Sequence, residues 1–269
     1  MTVLGVSLTG LLLITACSSS PYSPDKCIRG KGQVVTQKRH VPQFYSISTK
    51  STISIKVQYA DSCSVKVTEY QNLLPHLKTE VKAGTLYVYY DVCVTDAQSD
   101  VQITMPKIYS LNLSGVSEIQ LKGAFEPVEI FKINTKGVSD VTINGFVSKV
   151  VEAQLGGVSN LNANFTDDLD ALNITASGVS DLTVSGKNVA KLYIEASGTT
   201  NIDADDITAR LGIVRTSGMS VVDVNVTDLL KADASGLSSI TYSGNPETIE
   251  IHKSSLASIS SAQASNCCD

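Results

Sequence analysis

Residues 172–186 read LNITASGVSDLTVSG, and the centre of this stretch, Ser177-Gly178-Val179-Ser180-Asp181-Leu182, recurs along the second half of the chain. Aligned on the glycine, the copies are LSGVSEI (Gly115), TKGVSDV (Gly137), LGGVSNL (Gly157), ASGVSDL (Gly178), ASGTTNI (Gly198), TSGMSVV (Gly218) and ASGLSSI (Gly236). The glycines are spaced 22, 20, 21, 20, 20 and 18 residues apart. Self-similarity at this period marks a solenoid, whose units bury an apolar face only by stacking on their neighbours.

The columns of the alignment choose the kind of solenoid. Four residues before each glycine stand Leu111, Ile133, Ala153, Ile174, Ile194, Val214 and Ala232. Four after it stand Ile119, Val141, Leu161, Leu182, Ile202, Val222 and Ile240. Polar residues such as Asn134, Thr175, Glu195, Arg215 and Asp233 fill the intervening places, which is the period-two pattern of strands with one buried face. The glycine is then a corner between two short strands, where a residue without Cβ is favoured. Helical solenoids lack this alternation, and leucine-rich repeats need an L-x-x-L-x-L signature that no copy carries. The expected fold is all-β, a right-handed parallel β-helix of about 20-residue coils with a strand-rich N-terminal portion. The repeats fill about residues 109–245 of a domain spanning 32–260, with a tail at 261–269.

Upstream, Val3–Ala16 is an apolar stretch too short to span a bilayer, ending Ile14-Thr15-Ala16-Cys17. It reads as a lipoprotein signal peptide over residues 1–16, with Cys17 as the lipidation site and the membrane as partner through the acyl anchor. No Lys or Arg precedes Cys17, a departure from a basic n-region that a misassigned start codon would explain. Ser18–Asp25 is Ser/Pro-rich, and residues 17–31 read as a flexible tether. The segments 33–38, 44–48, 52–59, 62–69, 80–90 and 101–105 alternate as strands, with a turn at Lys82-Ala83-Gly84.

Taken together, Gly30-Lys31-Gly32, Phe44 with Ile47, Ile53–Tyr59, Asn72-Leu73, Gly84-Thr85-Leu86, Met105-Pro106 and the S-G-V-S-x-I copies resemble the head GIN domain family of auto-transporter adhesin heads. The resemblance runs from about Gly32 to about Gly244. It implies a β-helix lipoprotein or secreted domain of Gram-negative bacteria with no established enzymatic activity.

The remaining residues narrow the chemistry. A net charge of −5, with no Lys/Arg run, argues against nucleic-acid binding. With Cys17 lipidated, Cys27, Cys63, Cys93, Cys267 and Cys268 remain, an odd number whose connectivity the sequence leaves open. Cys267-Cys268 follow a Ser-rich segment, Ser254–Asn266, and suggest a C-terminal cap pinned by a disulfide. None has the C-x-x-C spacing of a zinc or redox motif.

Three columns invite a chemical reading. Glu118, Asp140, Asn160, Asp181, Asn201, Val221 and Ser239 stand three residues after each glycine. Such a ladder offers oxygens to Ca²⁺, or simply satisfies amides of the next coil. The hydroxyl column Ser117, Ser139, Ser159, Ser180, Thr200, Ser220 and Ser238 reads as structural, since His40, His76 and His252 all lie outside the repeat cores. Asp203, Asp205 and Asp206, followed by Arg210 and Arg215, could serve a Ca²⁺-dependent glycan binder or polysaccharide lyase, or form surface ion pairs.

The leading expectation is a non-enzymatic outer-membrane lipoprotein, periplasm-facing or at the cell surface, without catalytic residue, metal or cofactor. It presents a β-helix face, with Asp181, Asp203, Asp205, Asp206, Arg210 and Arg215 as candidate contact residues, to an envelope protein or glycan. The alternatives are the Ca²⁺-dependent glycan protein and a self-assembling structural component, since a solenoid end exposes unpaired backbone unless capped. The oligomeric state stays open.

Overall fold

The structure is a computed structural model, and it describes residues 27–262 apart from 147 and 255. From the first repeat onward, the strands are β10 (Ser110–Lys122), β11 (Val128–Phe146), β12 (Ser148–Leu155), β13 (Val158–Phe165), β14 (Leu169–Ala176), β15 (Val179–Gly186) and β16 (Asn188–Ala196). They continue as β17 (Thr199–Thr216), β18 (Val221–Ala234), β19 (Ser239–Ser243), β20 (Thr248–Lys253) and β21 (Ser258–Ser261). Each turn pairs in parallel with the next, in a register that keeps equivalent residues opposite one another: Leu161 faces Leu182, and Leu182 faces Ile202. The result is a β-solenoid of about eight turns. Each turn has one long side before its glycine and one after, which we call the first and second sides.

The alternation sorts residues as expected. Leu111, Ile133, Ile174, Ile194 and Val214 are fully buried from the first side, and Ile119, Val141, Leu182, Ile202 and Val222 from the second. Phe131, Phe146 and Phe165 are buried too, and the Phe131 and Phe146 rings lie 4.3 Å apart. The hydroxyl column also points inward. Ser159, Ser180, Ser220 and Ser238 each donate to the carbonyl three residues back, at 2.9, 3.1, 2.8 and 2.8 Å, so a polar ladder survives inside the core.

The glycine corners stack directly on one another. Gly115, Gly137, Gly157, Gly178, Gly198, Gly218 and Gly236 all have positive φ, and from Gly137 onward a Cβ would lie within 3.0 Å of the preceding glycine's carbonyl oxygen. Both constraints demand glycine. In β10 and β11 the strand runs unbroken through this corner, because Gly115 pairs with Gly137 and the ladder is not interrupted.

Four features differ from the sequence expectation. The solenoid gains a turn beyond the seven glycine copies, since β20 and β21 pair with β18 and β19, and the Ser-rich segment supplies β21. Part of the stretch read as tether, residues 17–31, is structured: β1 (Ile28–Arg29) pairs with β8 (Val94–Thr95), held by a disulfide between Cys27 and Cys93.

The N-terminal portion also contributes layers to the solenoid, out of chain order. Its strands are β2 (Val34–Arg39), β3 (Ser46–Thr49), β4 (Ile53–Tyr59), β5 (Ser64–Tyr70), β6 (Leu77–Lys82), β7 (Thr85–Tyr90) and β9 (Asp100–Met105). β3 and β4 pair in parallel with β10, while β7 and β9 pair in parallel with β3 and β4 from the other side. The earlier segment therefore lies inside the later one. Finally, β5, β2 and β6 run antiparallel along that end and close it. Cys63 is half-buried and pairs with no other cysteine among the described residues; Cys17, Cys267 and Cys268 lie outside them.

Candidate functional site: a groove along the glycine corner

The residue after each corner glycine faces out. The amides of Val179, Thr199, Met219 and Leu237 donate to the glycine carbonyl of the previous turn at 2.8, 2.8, 2.7 and 2.8 Å. Strand alternation then turns the hydroxyl at the next position inward and the one after it outward. An apolar column results: Val116, Val138, Val158, Val179, Met219 and Leu237 are 50–63% exposed, interrupted by Thr199. Leu256, two residues before Ser258 as Leu237 is before Ser239, extends it into the last turn and is 71% exposed. Large aliphatic side chains repeated in register on a free surface are uncommon, because each leaves apolar area in water.

Beside this column runs the outward column of Glu118, Asp140, Asn160, Asp181, Asn201 and Val221. From Val116 and Glu118 to Met219 and Val221 the two columns line an open groove of about 1100 Å³ that runs across successive turns and ends against Thr52–Ser54 and Ala97–Ser99. Its lining holds three carboxylates, Glu118, Asp140 and Asp181, and no cation or aromatic ring. Its floor contains two buried hydroxyls without a hydrogen-bond partner, Ser139 Oγ and Thr200 Oγ1.

The acidic column is partly hydrogen-bonded between layers, and at its end the Ser54 hydroxyl donates to Glu118 at 3.4 Å. The Asn201 amide donates to Asp181 at 3.1 Å, and Gln120 donates to Glu118 at 2.7 Å. Among the described residues no three of His, Cys, Asp and Glu come together as a metal-holding group.

The structure divides the other candidate residues. Asp203 lies on the second side, in the column of Thr183 and Asp223, and its carboxylate accepts from the Asp205 amide at 3.4 Å. Asp205 and Asp206 follow at the next corner, where the Asp205 carboxyl has its pKa raised. Partial burial is the first cause, followed by the hydrogen bond with Asp203 and the charges of Asp203, Asp206 and Asp223. Arg210 is held by Asp228 at 3.0 Å. Arg215 sits on the first side, between Asp233 at 3.5 Å and the hydroxyl of Tyr193 at 3.2 Å. Asp181 and Asp203 thus share a side, and the two arginines are engaged elsewhere.

The two sides differ in charge. On the first side the charges neutralise one another through Lys132–Glu152, Arg215–Asp233 and Lys231–Glu250. On the second side, Glu118, Asp140, Asp181, Asp203 and Asp223 enter none of the ion pairs among the described residues. The carboxylate column was visible in sequence. The apolar column beside it was equally visible, as V, V, V, V, T, M, L after successive glycines, but only the fold shows that it faces water.

The family model described as "Putative auto-transporter adhesin, head GIN domain" matches residues 43–246, which takes in both the groove and the layers that end it. The chain belongs to the head GIN domain family. No curated protein matches it. Among solved structures, a "putative adhesin" from Parabacteroides distasonis ATCC 8503 is similar over 87% of this chain and 99% of its own, at 21% identity and a TM-score of 0.79. A "putative adhesin" from Parabacteroides merdae ATCC 43184 is similar over 88% of this chain and 100% of its own, at 19% identity and a TM-score of 0.78. A third, from P. distasonis and described as a "putative lipid binding protein", covers 88% of this chain and 100% of its own at 21% identity and a TM-score of 0.68. At these identities the likeness concerns the head GIN fold.

Proposed function

We propose that this head GIN domain is a non-catalytic contact module of the cell envelope, tethered through an acylated Cys17 and binding its partner along the groove at the glycine corner. The observation that carries this reading is the register-matched apolar column on an otherwise alternating surface. A solenoid needs apolar residues inside, and nothing in its folding requires Val138, Val158 and Val179 outside. The backbone amides and carbonyls of this face already pair between turns, so a partner must be met by side chains. The family's adhesin description supports adhesion as the purpose of the contact. The separation of Arg210 and Arg215 from the acids at 203–206 speaks for a binding role over a lyase.

The test is adhesion by beads coated with the full chain to surfaces coated with cell-envelope material. Val138→Asp, Val158→Asp and Val179→Asp, combined, should abolish retention with unchanged circular dichroism, whereas Glu195→Gln with Asp233→Asn on the first side should leave it intact. Retention unaffected by the groove variant would overturn the reading. For the anchor, Cys17→Ser should move the protein out of the membrane fraction, and a variant still membrane-bound at high salt would refute the lipidation.

A further inference from the structure

Resting on the groove as the binding site, we infer that its occupant is an extended polypeptide segment carrying lysine or arginine alongside aliphatic side chains. Three properties of the lining select this chemistry. Its charged groups are all carboxylates, Glu118, Asp140 and Asp181, and no ion pair among the described residues neutralises them. The two further carboxylates of the same side, Asp203 and Asp223, deepen the negative field, and complementary charge both steers encounter and suppresses wrong partners. An anionic lipid headgroup or acidic glycan would meet repulsion here. The apolar column asks for aliphatic contact. A neutral glycan would look for flat aromatic rings, and the lining has none.

Length agrees with a linear ligand. From Ala97–Ser99 through Thr52–Ser54 to Met219–Val221 the groove crosses eight layers. At about 4.8 Å per layer that is roughly 34 Å, the span of about ten extended residues. Side chains on one face of an extended peptide recur at about 6.8 Å, out of step with the layers. The groove therefore reads composition more than a fixed sequence, and long flexible cationic side chains reach the carboxylates from several registers.

The experiment measures binding of labelled ten-residue peptides to the full chain by fluorescence anisotropy. A peptide alternating lysine with valine should bind, and replacing lysine by glutamate or valine by serine should weaken it at least tenfold. On the protein, Glu118→Gln, Asp140→Asn and Asp181→Asn together, or Val138→Ser, Val158→Ser and Val179→Ser together, should each weaken it tenfold or more. All six positions face water, so the fold is expected to stand, as circular dichroism would verify. Raised salt should weaken the complex. Equal binding of the glutamate peptide, no binding of any peptide, or groove-dependent capture of phosphatidylglycerol vesicles in place of peptide would overturn the inference. If no peptide binds while the groove variant still abolishes bead adhesion, the occupant is wrong and the site stands. If bead adhesion ignores the groove, the site itself falls.

Discussion

Gly178 shows how a single residue holds a turn in place. Its φ is +81°, and a Cβ there would run into the carbonyl oxygen of Gly157. Gly84 has a similar φ of +73° with open space around it. Gly84→Ala should therefore cost only the left-handed penalty of about 1–2 kcal/mol. Gly178→Ala adds a backbone collision and should cost clearly more, about 3–4 kcal/mol, as read from urea denaturation midpoints. Equal costs would mean the corners are not in contact. A second residue-scale effect concerns pH. The Asp205 carboxyl has a raised pKa in the folded chain, owing first to burial and then to its hydrogen bond with Asp203 and the nearby carboxylates. The folded state then holds the proton over a range just above the ordinary aspartate value, where the unfolded chain has lost it. Stability should rise as pH falls through that range. Asp205→Asn should flatten the rise, which thermal melts at a series of pH values would measure.

Among the elements, β1 has the weakest claim to its place. Two residues pairing with β8 cannot hold a strand, and the Cys27–Cys93 disulfide does the holding. It closes a separation of 66 residues, for which chain entropy gives about 4 kcal/mol. Cys27→Ser should lower unfolding stability by up to that amount. Hydrogen exchange should lose protection at residues 28–29 and 94–95 while β14 and β15 keep theirs. Uniform loss of protection would make the disulfide part of the solenoid proper. The two ends of the solenoid differ as well. β2, β5 and β6 close one with antiparallel strands, whereas β20 at the other has every residue exposed, Ile249 and Ile251 included.

At the scale of the whole molecule, stability is a sum over turns and their interfaces. Removing residues 178–197 excises one 20-residue turn, joins Ser177 to Gly198 and lets Gly198 stack on Gly157 as Gly178 did. The shortened chain should fold with the same circular dichroism shape and somewhat lower stability, and an unfolded product would contradict the turn-by-turn account. It should also shorten the groove by one layer and weaken peptide binding by degree. The energetics of contact point to multivalency. Val116, Val138, Val158, Val179 and Met219 are each about half exposed, and covering the rest is worth about 1 kcal/mol apiece. That sum barely meets the association cost of about 4–15 kcal/mol. On the proposed reading, one groove alone would bind weakly, and many copies displayed together would bind well.

Alternation along the chain is enough to place the turns from Ser110 to Ser243, the inward faces of Leu182 and its column, the outward face of Asp181, and the glycine corners, while the last turn is not legible in it. Period-two alternation assigns a side chain to a face with no knowledge of what lies beyond it, and in-register stacking carries that assignment from turn to turn. Tertiary structure alone decided the rest. β3 entered between β7 and β10, and β4 between β9 and β10, because parallel pairing depends on which strand edges remain free, and chain order does not encode that. Cys27 found Cys93 through the same rearrangement, since Cα atoms 4.6 Å apart are a property of the folded chain. The partners of Arg215, Asp233 and Tyr193, were likewise decided by stacking, because residues distant in the chain meet only across turns. The valines after the glycines became a groove for the same reason: exposure is decided by what stacks against a surface, and nothing in the described residues stacks there.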